Sequence, residues 1–376
     1  MSAVSRDELR IVNDVEHSAA NAPSRARKIV KAGDTIFATV RPSLRRIAQI
    51  PPSLDGEIVS TAFCVLRPNR SVIHPDFLYF AMQLDDVTGG IASMETGASY
   101  PAVRDTDVLN QAIPLPPLSN QHEIATALNL VRSAVLVQKR CEDAAIGLKR
   151  ATMRSLFAHG LRGEAQKETE IGQVPESWVL APCDQIFRLT SGKKRPSSLS
   201  DHLNDETSFP VLGGNGVMGF TDEWFLDVSQ ALIIGRVGEY CGAVHIASGK
   251  VWVTDNALYT KEWLNHKADV AFVAAFLEYY DLNRFKRMAG QPLVTQGVIN
   301  EHRVPLPHIE EQREIVAILD AIDRKIDLHR RRRVVLEQLF KTLLHKLMTG
   351  EIRVADLDLS ALNGTEGNID VNEVNA

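Results

Sequence analysis

Residues 113–128 read IPLPPLSNQHEIATAL, and residues 304–319 read VPLPHIEEQREIVAIL. The two phrases agree at seven of sixteen positions without a gap, 191 residues apart. Self-similarity at a fixed offset signals a repeated structural unit. Each phrase also opens a long heptad pattern. In the second copy Ile315, Leu319, Ile322 and Ile326 recur at spacings of 4, 3 and 4, and Leu336, Phe340, Leu343 and Leu347 resume the register up to Gly350. In the first copy Ile124, Leu128, Val131, Val135 and Gln138 keep that rhythm, followed by Ala145, Thr152, Leu156 and Gly160. The prolines hold the entering chain out of αR geometry, and glycine suits the position just past a last turn. Each helix is expected to run about 40 residues, roughly 60 Å at 1.5 Å per residue. One narrow apolar stripe on so long a helix demands a partner. Two helices of matching pattern supply one another, so they are expected to pack as a coiled coil. Glu142, Lys149 and Arg333 interrupt the seam, and the run Arg330–Arg333 reads as a solvated helix face or a docking patch for an acidic partner.

The repeat extends upstream of the prolines. Pro101 lies over Pro292 and Val103 over Val294 at the same offset; further back it drifts to about 195, placing VSTAFCVLR (59–67) over VTDNALYTK (253–261) and Phe77 over Phe272. AGDTIFATVRP (32–42) lies over VSQALIIGRVG (228–238), each a β-rich strand running into an arginine-bearing loop. Each repeat is therefore expected to be a mixed α/β globule of short strands followed by one long helix. The second globule opens near Trp178, 55 residues before Ile233. Only 36 residues precede the matching Phe37 in the first, and nothing there resembles PESW or PVLGGNGVMGF. The first globule is expected to lack opening strands.

Composition excludes several classes. With 44% hydrophobic and 24% charged residues the chain reads as an ordinary soluble globular protein, long enough for two or three cores. No apolar run approaches the roughly 20 residues of a membrane helix. Cys64, Cys141, Cys183 and Cys241 form no CxxC pair, which argues against a structural zinc site or disulfide scaffold and fits a reducing cytoplasm. The net charge of −5 resides in the tail: Glu351–Ala376 holds six acids and one arginine, so residues 1–350 sum to zero. That neutral body contains three basic clusters. The first is Arg25, Arg27, Lys28, Lys31, Arg41, Arg45 and Arg46 against Asp34 alone; the second is Arg188, Lys193, Lys194 and Arg195; the third is Arg284, Lys286 and Arg287. Each reads as a solvated face or as a phosphate-binding patch.

Catalytic signatures are absent. There is no NPPY motif or glycine-rich cofactor loop for an adenine methyltransferase. TSGKK lacks the upstream glycine of a phosphate loop. GGNG lacks the strand-to-helix setting of a dinucleotide site, and the 11 histidines show no HExxH spacing. No catalytic or metal-binding residue is nominated, and a stand-alone nuclease or methyltransferase is disfavoured.

The doubled proline phrase with its long helix resembles the DNA-specificity (S) subunit of type I restriction–modification systems. So do PVLGGNGVMGFTD (210–222), ALIIGRVGEYCGAVH (231–245) and SRARKIVKAGDTIFATVRPSLRRIA (24–48). The likeness covers roughly residues 24 to 353. It implies two target recognition domains, each reading half of a split DNA sequence, separated by two helices packed antiparallel as a spacer. It also implies two modification (methyltransferase) subunits as partners on those helices, together with restriction (translocase and nuclease) subunits. S-adenosylmethionine, ATP and Mg2+ are then expected on the partners, with no cofactor on this chain, no catalysis by it and no membrane association. The expected domains are a shortened first recognition domain (1–117), a first spacer helix (118–160), a second recognition domain (161–308), a second spacer helix (309–350) and an acidic, flexible tail (351–376). Phosphate contacts are expected from Arg41 and Arg45 in the first recognition domain and from Lys193, Lys194, Arg195 and Arg236 in the second. Asn215 and Gln291 are candidate base readers, or residues that shape turns. The alternative is a degenerate coiled-coil assembly subunit that binds no specific DNA.

Overall fold

In the computed structural model the described residues are 3–18, 20–204, 207–289 and 291–363. The chain divides into two compact units, Met1–Cys141 with Leu328–Ala376, and Glu142–Asp327. Each long helix therefore contributes residues to both.

The first unit contains β1 (Ala26–Ile29), β2 (Thr35–Ala38), β3 (Ile47–Gln49), β4 (Ile58–Ser60), β5 (Phe63–Leu66), α1 (Pro75–Ala81), α2 (Asp85–Ser93), α3 (Asp105–Leu109) and the first part of α4 (Leu118–His159). An antiparallel sheet of order β3-β2-β5 packs one face on the helices, and on its other face a smaller core joins Ile36, Ala38 and Phe63 to Val59 of the β1-β4 pair. The core gathers Phe37, Phe77, Phe80 and Ile91 with Ile124, Leu128 and Val131 of α4, and Leu343 and Leu347 of the second long helix.

The second unit takes the rest of α4, then β6 (Gln166–Thr169), β7 (Gly172–Pro175), β8 (Val179–Pro182), α5 (Cys183–Ile186), β9 (Phe187–Ser191), β10 (Phe209–Gly213) and β11 (Gly216–Thr221). It continues with β12 (Leu226–Gly235), β13 (Val244–Val253), β14 (Ala257–Trp263), α6 (Val270–Tyr280), β15 (Arg287–Ala289), β16 (Gln291–Leu293), α7 (Gln296–Asn300), β17 (Arg303–Leu306) and the first part of α8 (Ile309–Thr349). Its main sheet runs β11-β10-β13-β12-β14-β9. One core packs Phe187, Leu232, Ile234, Phe272 and Val294 against Met153, Leu156 and Phe157 of α4 and Ile315 and Leu319 of α8; a second, smaller one lies among Leu212, Ile233, Val251 and Val253.

The two long helices pack antiparallel: early α4 shares a core with late α8, and late α4 with early α8. Ile322 and Ile326 are also buried. The seam thins at Val135 and Leu336, which are half-buried and join neither core, and Phe340 turns its ring to Phe80 at 5.9 Å. Polar seam positions answer one another. Gln138 Oε1 lies 2.9 Å from Nδ1 of His329, its own counterpart 191 residues on. Lys149 Nζ reaches Asp323 at 3.0 Å and Glu278 at 3.2 Å. Burial would depress the Lys149 ammonium, but those two carboxylates outweigh it and hold its pKa above the ordinary value.

The doubled phrase has a structural purpose that its spacing did not disclose. Gln121, fully buried on α4, accepts from the backbone N–H of His74 at 2.8 Å and donates to the carbonyls of Val72 (3.1 Å) and Pro116 (2.8 Å). Gln312 on α8 accepts from Asp269 N–H at 2.7 Å and donates to Lys267 (2.8 Å) and Pro307 (2.9 Å). His74 and Asp269 are the N-caps of α1 and α6. In each unit one buried amide thus ties the long helix to the entry of a short one.

Two expectations need correction. The strand alignment slips by one residue: Phe37 pairs with Cys64 as Ile234 pairs with Leu258, so Phe37 matches Ile234 and not Ile233. A slip of one moves a side chain to the opposite face of a sheet, which is why Phe37 and Ile234 belong to the helix-facing cores and Ile233 to the smaller one. The expected flexible tail begins too early. Ile352, Val354, Leu357, Leu359 and Leu362 pack on the first unit's core, and α9 (Ser360–Asn363) closes the described chain, because these apolar side chains recover burial there. Residues 364–376 lie outside the described residues. Among the described residues no helix is long and apolar enough to cross a membrane.

Candidate nucleic-acid interface

Both units place the same hairpin loop, β2–β3 and β12–β13, beside the segment that precedes α3 or α7. In the first unit Val103 N–H donates to Thr39 O at 2.9 Å and Arg41 N–H to Pro101 O at 2.7 Å. In the second, Val294 N–H donates to Arg236 O at 2.9 Å and Gly238 N–H to Pro292 O at 2.9 Å. The equivalences follow directly. Thr39 stands where Arg236 stands, and Arg41 where Gly238 stands, so the two arginines share a loop without sharing a position.

Arg41 and Arg45 bracket a 3-10 turn, Pro42–Leu44, and both adopt left-handed backbone angles (φ 52° and 50°). Non-glycine residues there carry strain that the surroundings must hold in place. Arg41 sets its exposed guanidinium over the Tyr100 ring, 5.7 Å from the centroid. Arg45 is committed to Asp85 at 2.5 Å, and this hydrogen bond is the main cause that keeps the Asp85 carboxyl below its ordinary value. Lys28, in the same basic run, is bound to Asp105 (2.5 Å) and the Phe63 carbonyl (2.7 Å). Part of the first basic cluster is therefore structural, and Arg41 is its better-presented cation.

The second unit brings its candidates together by close backbone approach. Asn215 is exposed at the tip of the β10–β11 turn. Beside it, a Cβ on Gly235 would stand 2.2 Å from Tyr240 O and 2.6 Å from Gly214 O, so only glycine lets the Asn215 turn meet the Arg236 loop. Gly192 is equally constrained, with Thr254 O 2.3 Å from its would-be Cβ, and it delivers Lys193 to the β13–β14 turn. Arg236 Nη1 reaches Ser191 Oγ at 3.3 Å, and the exposed Gln291 adjoins Pro292, whose carbonyl accepts from Gly238. Asn215, Arg236, Gln291 and Lys193 thus lie on loops that touch. Lys194 and Arg195 follow, exposed and without an ion pair among the described residues. In the third cluster Arg284 stacks on Tyr280 and Phe285 at 4.1 and 4.7 Å.

The sequence reading missed an aromatic set beside Lys193. Its ammonium lies 4.4 Å from the Phe225 ring centroid and 5.8 Å from that of Trp252, and Trp252 Nε1 donates to Lys194 O at 3.0 Å. Residues this far apart leave no local motif; only strand register brings them together. His245 supports the neighbouring turn. Its ring sits 3.4 Å from a would-be Gly216 Cβ, and burial is the main cause that holds its pKa below the ordinary value.

A duplicated α/β unit on paired long helices, with an arginine in each of two matching loops, defines a class that comparison then specifies. The family model of the type I restriction modification DNA specificity domain matches residues 23–139 and 175–338, and the chain belongs to that family. Two specificity subunits of Methanocaldococcus jannaschii are similar to it. MjaX is 26% identical over 307 residues, covering 77% of this chain and 71% of the relative; the type I restriction enzyme MjaVIII subunit is 25% identical over 325 residues, covering 80% and 76%. A chain solved for complex assembly and conformational transition of the type I R-M system matches with a TM-score of 0.54 and 27% identity, covering 93% of this chain and 90% of that one. The S subunit from M. genitalium matches in fold, with a TM-score of 0.57 at 18% identity over 85% and 84% of the two chains.

Proposed function

We propose that this chain is the sequence-reading, non-catalytic subunit of a type I restriction–modification complex. Each unit contacts one half of a split DNA target, and the paired helices carry two modification subunits that bind S-adenosylmethionine and methylate adenine. Restriction subunits add ATP- and Mg2+-dependent translocation and cleavage. The observation that carries this reading is the recurrence of one loop, 39–46 and 236–243, which in each unit bears an arginine (Arg41 and Arg236) without an ion pair among the described residues, on a fold of the DNA specificity family. Two weak contacts held in register select more sharply than either alone.

Arg41, Lys193, Lys194, Arg195 and Arg236 are assigned to phosphates, and Asn215 and Gln291 to base edges, whereas Arg45 stays with Asp85. The test is copurification with a modification subunit followed by mapping of methylated adenines. One bipartite sequence is expected; methylation without sequence preference overturns the reading. The degenerate-assembly alternative is separated by K193E/K194E/R195E. This triple variant is expected to keep partner binding while DNA affinity and its salt slope fall. If both stay unchanged, the phosphate assignment in the second unit is wrong.

A further inference from the structure

Lys250 lies 56 residues beyond Lys194, in no basic cluster of the sequence. It stands on the outward side of β13, where Val251 and Val253 face the core and Lys250 and Trp252 alternate with them. Its ammonium is held 4.5 Å from the ring centroid of Trp224, the next residue before Phe225. Lys193 sits the same way over Phe225 and Trp252, and those two rings meet edge to face at 5.3 Å. Two lysine–aromatic seats therefore lie two residues apart along β13, Lys193 on Phe225 and Trp252 and Lys250 on Trp224, with Lys194 and Arg195 following Lys193 in the chain.

No ion pair joins Lys250 to a carboxylate among the described residues. Asp222 and Glu223 accept hydrogen bonds from the hydroxyls of Ser198 and Ser197. Asp227 is opposite Lys250 in the β12–β13 register, yet no ion pair joins them among the described residues. Trp224 keeps 42% of its surface exposed, more than a ring used only for packing needs. Seating a lysine on an aromatic face restricts its rotamers before any ligand arrives and leaves the ammonium its hydrogens to donate. Among unpaired cations this is the arrangement suited to a repeating anion.

We propose that Lys250, seated on Trp224, is a DNA-phosphate-binding residue that extends the track of Lys193, Lys194 and Arg195 across the outer face of β13. The proposal rests on the reading that the second unit holds DNA. The test titrates the full-length chain into a fluorescein-labelled mixed-sequence duplex across a series of NaCl concentrations, following anisotropy. K250M is expected to lower the slope of log K against log salt by about 0.9, the value for one lost phosphate contact. W224L keeps the charge and loses the seat, so the slope should hold while affinity falls about threefold; W224F and K250R should restore wild-type behaviour. A K250M slope and affinity equal to wild type, while K193E/K194E/R195E lowers both, overturns this proposal alone. If the triple variant is also unchanged, the underlying reading falls with it.

Discussion

Arg41 and Gly238 occupy one position in two copies of one loop, and both have positive φ (52° and 89°). Glycine meets that geometry without strain, whereas arginine does not. R41G is therefore expected to stabilise the first unit by about 0.5 to 1 kcal/mol in denaturant unfolding while weakening DNA binding. A loss of stability would show that the Tyr100 contact outweighs the backbone strain. The buried glutamines point the other way. Q312L removes the acceptor for Asp269 N–H and the donor to two carbonyls, leaving one buried and two part-buried hydrogen bonds unmade, and should cost about 2–4 kcal/mol in chemical unfolding. Gln121 and Gln312 were visible in the sequence only as identities within a phrase; a glutamine bonding to a distant backbone has no signature of its own. Arg41 was legible as a basic residue in a loop, but its conformation was not.

The helices were the most legible elements, because Ile124, Leu128, Ile315 and Leu319 announce a buried stripe through spacing alone and all four are buried. The strands were less so: a four-residue β2 offers too few alternations to fix register, hence the one-residue slip at Phe37. Within the helix pair the stripe and its interruptions should behave differently. L128A empties space in a closed core and is expected to cost about 3 kcal/mol. K149M removes an ammonium whose partners Glu278 and Asp323 stay about half exposed, so the change should stay under about 1 kcal/mol. In the sheet-rich unit, His245 and His302 both have pKa values lowered chiefly by burial, with Arg284 adding to the effect at His302. A lowered folded-state value means the neutral imidazoles contribute stability above the ordinary value of 6.5, and this is lost as pH falls through the folded-state values. Thermal unfolding of the second unit should drop as pH is lowered below about 6.5, and H245Q/H302Q should flatten the profile. A profile as steep in the double variant would assign the effect to other groups.

At the scale of the whole chain, the segment after α8 completes a unit that begins some 350 residues earlier. Deleting residues 351–363 strips Ile352, Val354, Leu357, Leu359 and Leu362 from the first unit's core. Hydrogen exchange in the first unit should rise, and the second unit's should not. Acidic composition concealed this: net −5 over the last 26 residues reads as a solvated tail, whereas the apolar residues between the charges do the packing. The face bearing Lys193, Trp224, Phe225, Lys250 and Trp252 was concealed differently, since nothing local links residues that a sheet assembles from three stretches of chain.

The glutamine fastenings have a corollary for how such a protein could diversify. Among the described residues Gln121 and Gln312 bond only to peptide groups, and peptide groups are common to every sequence. A domain with altogether different surface loops could be fitted to the same shaft, provided its short helix began at the same place. The socket is generic, and whatever is plugged into it remains free to change.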